Sequence, residues 1–309
     1  MTTPAISVRN LKKRYGDRPV LHDLSFDIMP GQIFALLGEN GAGKTTMVKL
    51  LSTMMRPDGG SATVGGFDCV KKPWEIRRMI SVTGQYATVD EKLTGRENLR
   101  MLGRLHHLGA RRADARSDEL LQQYDLTEAA DRPVDTYSGG MRRRLDIAIS
   151  LIAAPSVVFL DEPTTGLDPR SRQSMWAFIR SLAEGGVTVF LTTQYLEEAD
   201  QLADTVAVIH EGRIVASGTP DELKALLANE RIDFVYADGE RAGEMAALLS
   251  DEGATVNGAV VSIRVKSPVS ELRDKLNAMH EADNLPLEVR LLKPTLDDVF
   301  MQLTEKGER

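Results

Sequence analysis

The sequence predicts an α/β chain in which a largely parallel sheet is wrapped by helices and followed by a smaller α+β unit. Buried-strand runs alternate with helical stretches over most of the length. One apolar strand, "QIFALLG", runs straight into the glycine-rich "GENGAGKTT" and then a helix. After Leu227 the pattern changes to short strands paired with two amphipathic helices.

Residues 6–37 read as strands, with "ISVRNLKKRYG" and "VLHDLSFDI" showing short apolar stretches with polar interruptions. A helix is expected from Gly43 to Leu51, then a short strand with turn glycines in "SATVGGFDC". Between Thr94 and Tyr137 leucines recur at three- and four-residue spacing, as helices require. Val157–Leu160, Val187–Leu191 and Thr205–His210 read as buried strands between helices. Beyond Leu227 the order β-α-β-β-α-β resembles a split-βαβ domain. A last helix follows Pro294, with Thr295 as its expected cap and Leu296, Val299, Phe300 and Leu303 as an apolar stripe expected to pack on its own domain. The expected domains are 1–228, with a helical part at about 90–155, and 229–309.

A chain of 309 residues can hold a core domain and a smaller second one. Net charge of −7 argues against a general nucleic-acid surface, which needs a basic excess. A lone cysteine, Cys69, fits a reducing compartment and offers no disulfide or thiolate metal site. The opening "MTTPAISVRNLKKRYG" lacks the apolar core of a signal peptide. The most apolar run, Ile147 to Leu160, is broken by Ser150, Pro155 and Ser156 and falls short of the ~20 residues that span a bilayer. Any transport role therefore requires a separate membrane partner.

Chemistry enters with "GENGAGKTT", which fits G-x-x-x-x-G-K-[ST] through Gly38, Gly43, Lys44 and Thr45, with Glu39, Asn40, Gly41, Ala42 and Thr46 completing the loop. Glycines let backbone N–H groups approach phosphate oxygens, and the helix start adds its positive dipole end. Lys44 is expected to neutralise β- and γ-phosphates and Thr45 to ligate Mg²⁺. Downstream, "SVVFLDEPTTGLD" places Asp161 and Glu162 at the carboxyl end of a buried strand. Asp161 suits the metal and Glu162 the general base that polarises water. In "TYSGGMRRRLDIAI", Ser138 can cap a helix beginning at Gly139 and Gly140, which leaves amides free for an anion. At least one of Arg142, Arg143 and Arg144 is expected on a solvated face. His106 and His107 diverge on their helix, so packing or surface is expected of them rather than metal binding.

Together these segments resemble the ATP-binding cassette family over about residues 5–225: "GENGAGKTT" its phosphate loop, "YSGGM" its signature motif, usually ending in glutamine, "VVFLDE" its magnesium strand and "GLD" its D-loop. The resemblance implies a P-loop NTPase with a RecA-like core, an antiparallel β subdomain and an α-helical subdomain, binding ATP and Mg²⁺. By position, Tyr15 is similar to the residue that stacks on adenine, and Gln85 to the glutamine that reaches Mg²⁺ and the attacking water. Ser138, Gly139 and Gly140 would meet the γ-phosphate held by an opposing copy, with Asp168 across that interface. "VTGQYATVDEKLTGRENL", "LTTQYLEEADQLAD" and "KPTLDDVFMQLT" resemble the daunorubicin-resistance type of subunit.

The family usually has histidine where Gln194 stands. Glutamine keeps a donor and an acceptor but never a charge. With Glu162 retained as base, a working ATPase is expected, its rate less pH-dependent near neutrality. The resemblance implies the motor of an exporter of a drug-like, antibiotic or lipid substrate. Two copies would sandwich ATP at the cytoplasmic face of the membrane, beside a separate permease. The alternatives are a soluble cassette ATPase in translation or DNA maintenance, against which the acidic balance speaks, and a regulator that binds ATP without hydrolysing it.

Overall fold

The computed structural model describes residues 3–83, 89–226, 230–248, 254–265, 267–292 and 294–305, the side chains of 248 and 302–305 excepted. It divides into two compact units, Met1–Pro220 and Asp221–Arg309.

In the first unit β1 (Ile6–Tyr15) and β2 (Arg18–Ile28) form an antiparallel ribbon. It is joined by β4 (Gly59–Val64) and β5 (Phe67–Asp68) in a sheet of order β2-β1-β4-β5. A second, six-stranded sheet has the order β10-β9-β3-β8-β7-β6. Its strands are β3 (Ile33–Leu37), β6 (Ile80–Thr83), β7 (Val157–Asp161), β8 (Thr188–Thr193), β9 (Thr205–His210) and β10 (Arg213–Gly218). All neighbours are parallel except β9 and β10. β3, β7 and β8 are buried along their whole length, because a parallel sheet is covered on both faces.

β6 and β10 leave no mark in the apolar pattern. Each is an edge strand, and the hairpin into β10 turns through Glu211 and Gly212, both at positive φ. Phe26 stacks on Phe34 at 4.9 Å between ring centres and Phe34 on Phe190 at 5.5 Å, which joins the antiparallel sheet to the central one.

The helices of this unit are α1 (Lys44–Leu51), α2 (Pro73–Arg77), α3 (Gly95–Leu105), α4 (Ala110–Gln123), α5 (Gly139–Ser150), α6 (Pro169–Glu184) and α7 (Leu196–Leu202). α3 starts in a capping box, with Thr94 accepting from the Glu97 amide and Glu97 from the Thr94 amide. Helix α8 (Pro220–Ala225) lies at the junction of the units.

The second unit has β11 (Glu230–Val235), α9 (Gly239–Leu248), β12 (Thr255–Asn257), β13 (Val260–Val265), α10 (Pro268–Glu281), β14 (Glu288–Leu292) and α11 (Leu296–Glu305). Its antiparallel sheet has the order β12-β13-β11-β14, the arrangement that a split-βαβ domain adopts. Ile232, Phe234, Val261, Ile263, Met245 and Met279 fill its core. Thr295 caps α11 through the Asp298 amide, and Leu296 and Val299 are buried. The Leu303 side chain lies outside the described residues.

Candidate functional site

The candidate site is built on three adjacent strand ends. β8 lies between β3 and β7, with Leu37 opposite Thr193 and Asp161 opposite Thr192. The segments leaving the three strands therefore meet at one sheet edge, where parallel α/β sheets bind ligands. From β3 comes the glycine-rich loop, from β7 the two carboxylates, and from β8 Gln194.

The loop is fixed by close approaches. The Gly38 amide donates to the Thr193 carbonyl at 3.1 Å, and a Cβ at Gly38 would sit 2.3 Å from the Ile209 carbonyl oxygen. Gly43 has φ +110°, and a Cβ there would lie 2.5 Å from Leu21 Cδ2. Gly41 also needs its left-handed φ of +85° but faces open space. Lys44, 4% exposed, donates to the carbonyls of Gly38 and Glu39 at 2.8 and 3.0 Å. Ala42 and Thr46 are buried, whereas Glu39 and Asn40 are exposed.

Asp161, 5% exposed, accepts from Thr45 Oγ1 at 3.0 Å and from the Thr192 hydroxyl. A serine/threonine hydroxyl beside a carboxylate is the hard-oxygen pair that Mg²⁺ takes, so these residues fit that ion. Glu162 has φ +49°, a left-handed backbone that costs a non-glycine residue free energy. Its amide donates to Thr192 O at 3.1 Å and Thr192 Oγ1 at 3.2 Å, which pins the turn. Its Oε1 lies 3.4 Å from Lys44 Nζ and its Oε2 accepts from Thr165 Oγ1 at 3.3 Å. Four expected residues, Lys44, Thr45, Asp161 and Glu162, thus form one connected set. Gln194 comes directly after β8, half-buried, with the Tyr195 amide donating to Thr193 Oγ1 at 2.9 Å.

Ser138 caps α5 by accepting from the Met141 amide at 3.2 Å, and Gly139 opens the helix. A Cβ at Gly140 would lie 2.9 Å from Ser171 Oγ, and Ser171 in turn donates to Asp168, the cap of α6, at 2.6 Å. The hydroxyl and amide of Ser171 hold the Asp168 carboxyl below its ordinary range. A cavity of about 290 Å³ lies here, lined by Ser138, Gly140, Arg144, Arg170 and Ser171 among others. Tyr15, 46% exposed, leans on Met55 with its hydroxyl 3.5 Å from the sulfur. Gln85 lies outside the described residues.

The arginine triplet fans out, with Arg142, 34% exposed and paired with half-exposed Glu91, on the solvated face that the sequence predicts for at least one of the three. Arg142 pairs with Glu91 at 2.7 Å; Arg143 donates to the Pro163 carbonyl at 3.0 Å and pairs with Asp146 at 3.3 Å; Arg144 donates to the Tyr124 carbonyl at 3.1 Å. Helical neighbours point in different directions, and each here finds a different partner.

Several residues of the site carry no sequence signal. Thr192 and Thr193 read as the end of an apolar strand, yet their hydroxyls orient Asp161, the Glu162 amide and the Tyr195 amide. Glu198 is one of two adjacent acids at the start of a helix, yet it is fully buried and accepts from Trp176 Nε1 at 3.3 Å. Only its place four positions before the apolar Leu202 hints at an inward face.

The profile of the family described as "ABC transporter" matches residues 21–165. The daunorubicin resistance ATP-binding protein DrrA3 of Streptomyces coeruleorubidus is 50% identical over 311 aligned residues, covering 100% of this chain and 98% of that one. The Nod factor export ATP-binding protein I of Ralstonia nicotianae is 39% identical, covering 100% of this chain and 96% of its own. A solved structure titled as the ATP binding subunit of an ABC transporter aligns with 72% of this chain and 93% of its own, at TM-score 0.63 and 28% identity.

Proposed function

The chain belongs to the ABC transporter family, and from that premise we propose that it is the ATP-driven motor of an exporter, working beside a separate membrane subunit at the cytoplasmic face. ATP hydrolysis is the general activity of the family. The observation that carries the reading is the connected set Lys44, Thr45, Asp161 and Glu162 at adjacent strand ends. The full-length match to daunorubicin-resistance and Nod-factor-export subunits favours export over nucleic-acid work, and the cargo is proposed to be a drug-like, antibiotic or lipid molecule. Among the described residues no helix is long and apolar enough to cross a membrane, which leaves the substrate path to a partner.

In this reading the loop amides and Lys44 take the β- and γ-phosphates. Mg²⁺, when bound, neutralises and polarises the phosphate oxygens, and Thr45 Oγ1 with Asp161 would hold it, helped by Gln85. Glu162 accepts the proton of the attacking water, from a turn that the Thr192 bonds keep in place. Gln194 bridges the γ-phosphate and that water. Tyr15, exposed and ready, stacks on adenine. Ser138, Gly139, Gly140 and Asp168 serve the nucleotide of a second copy, so two chains enclose two ATP molecules. Residues 1–228 form the motor, and 229–309 stabilise the pair or its membrane partner.

Glu162→Gln preserves shape and removes the base. With the membrane partner present it should lower ATP turnover by about 10²–10⁴-fold while ATP binding persists. Turnover within a factor of two of wild type would overturn the assignment of Glu162.

A further inference from the structure

Among the buried charged residues that the mechanism leaves unused, Glu198 is the most deeply buried. Glu198 on α7 is 0% exposed, in the middle of the motor unit. Its Oε1 accepts from Trp176 Nε1 of α6 at 3.3 Å. The rest of the carboxylate faces the hydroxyls of Thr193 and Thr164. Oε2 and Thr164 Oγ1 are buried and make no direct hydrogen bond among the described residues. A buried carboxylate with an unfilled acceptor position is costly as a packing element.

The neighbours give its place meaning. Thr193 immediately precedes Gln194, and its own hydroxyl accepts from the Tyr195 amide. Thr164 is two residues past Glu162, in the turn whose Pro163 carbonyl Arg143 grips from α5. Trp176 lies on α6, the helix that Asp168 caps. The same helix sends Arg172 over the Tyr195 ring, 5.0 Å from its centre. Glu198 is therefore the point where the base-bearing turn, the Gln194 turn and the D-loop helix converge.

We propose that Glu198 is a positioning residue for hydrolysis: bonded to α6 through Trp176, its carboxylate faces the turns that bear Glu162 and Gln194 and takes up a threonine hydroxyl as ATP binds, so that base and γ-phosphate contact are placed together. This role rests on the ATPase reading of the site. Glu198 touches no nucleotide itself. The phosphate loop is built by other contacts, so ATP affinity does not depend on it. The unfilled oxygen can take a threonine hydroxyl as the turns adjust to ATP.

The test uses the full chain with its membrane partner, in wild type, Glu198→Gln and Glu198→Ala. Turnover should fall about tenfold in Glu198→Gln and further in Glu198→Ala, with KM for ATP within about twofold, as a lost transition-state contact requires. Of this chain's two tryptophans Trp74 is exposed, so in the full chain measured without its membrane partner Trp74→Phe leaves Trp176 as the only reporter. In that background Trp176 emission should respond to ATP, and Glu198→Gln should abolish the response while ATP still binds.

Turnover within twofold of wild type in both variants would overturn the proposal. So would a joint loss of ATP affinity, turnover and melting temperature, which marks a purely structural residue. If Glu198→Ala fails to fold, the isosteric Glu198→Gln decides by the same criteria. Glu162→Gln run alongside separates the two readings: full activity there sinks the base assignment, whereas loss there with full activity in Glu198→Gln sinks this inference alone.

Discussion

At the scale of single residues, the substitution of glutamine for the family's usual histidine is a choice about charge. Gln194 has no proton to exchange near neutrality, so turnover should be nearly flat between pH 6 and 8, roughly the range in which imidazole titrates. Gln194→His should keep turnover within about threefold and introduce a pH step near ~6.5; a pH–rate profile of both proteins measures it. A large gain would show that glutamine is a poor substitute.

Glu198 makes the opposite case. Burial raises its carboxyl above the ordinary range, against the Thr193, Thr164 and Trp176 contacts and the Arg172 charge that favour ionisation; Arg143 is the other nearby cation. A raised folded-state value means that ionisation costs stability: the cost is absent below the unfolded value of ~4.3 and sets in as pH rises through the folded one. Glu198→Gln should therefore melt at or above the wild-type temperature at pH 7, with the gap closing as pH falls toward ~4, a trend that calorimetry across pH can follow.

At the scale of elements, the helical part hangs on one buried amide. Asn98 accepts from the Asp90 amide at 2.9 Å and donates to the carbonyls of Asp90 and Thr94 at 2.9 and 3.0 Å, which fastens the segment after Gln85 to α3. Asn98→Ala removes all three bonds and leaves the Asp90 amide without its acceptor, which should cost about 1–3 kcal/mol in a denaturant titration.

The elements also show what the sequence can express. β3, β7 and β8 are legible because burial on both faces writes a continuous apolar run, and the caps Ser138 and Thr295 because capping is local chemistry. β6 and β10 are not, since an edge strand of four to six residues buries too little to leave a pattern. The phosphate loop, Asp161 and Glu162 are legible because a motif at a strand end is also local. The roles of Thr192, Arg143 and Glu198 depend on which strands and helices become neighbours, which no local pattern encodes.

At the scale of the whole molecule, the proposed two-copy sandwich follows from one phosphate loop and one signature segment per chain and can be tested directly. Glu162→Gln with ATP should elute as a dimer in light-scattering chromatography, and with ADP as a monomer. A monomer under both conditions, with the membrane partner absent and ATP bound, would count against the two-copy sandwich. Within one copy, the Gly140, Ser171 and Asp168 contacts make the signature and D-loop a single block.

The left-handed backbone of Glu162, at φ +49°, reaches further than this one enzyme cycle. Glycine and asparagine occupy that region at far lower cost. In a laboratory lineage selected only for heat resistance, this position is accordingly among the first expected to drift toward them. In the proposed mechanism Glu162 is kept by demand for turnover, against the preference of the fold itself.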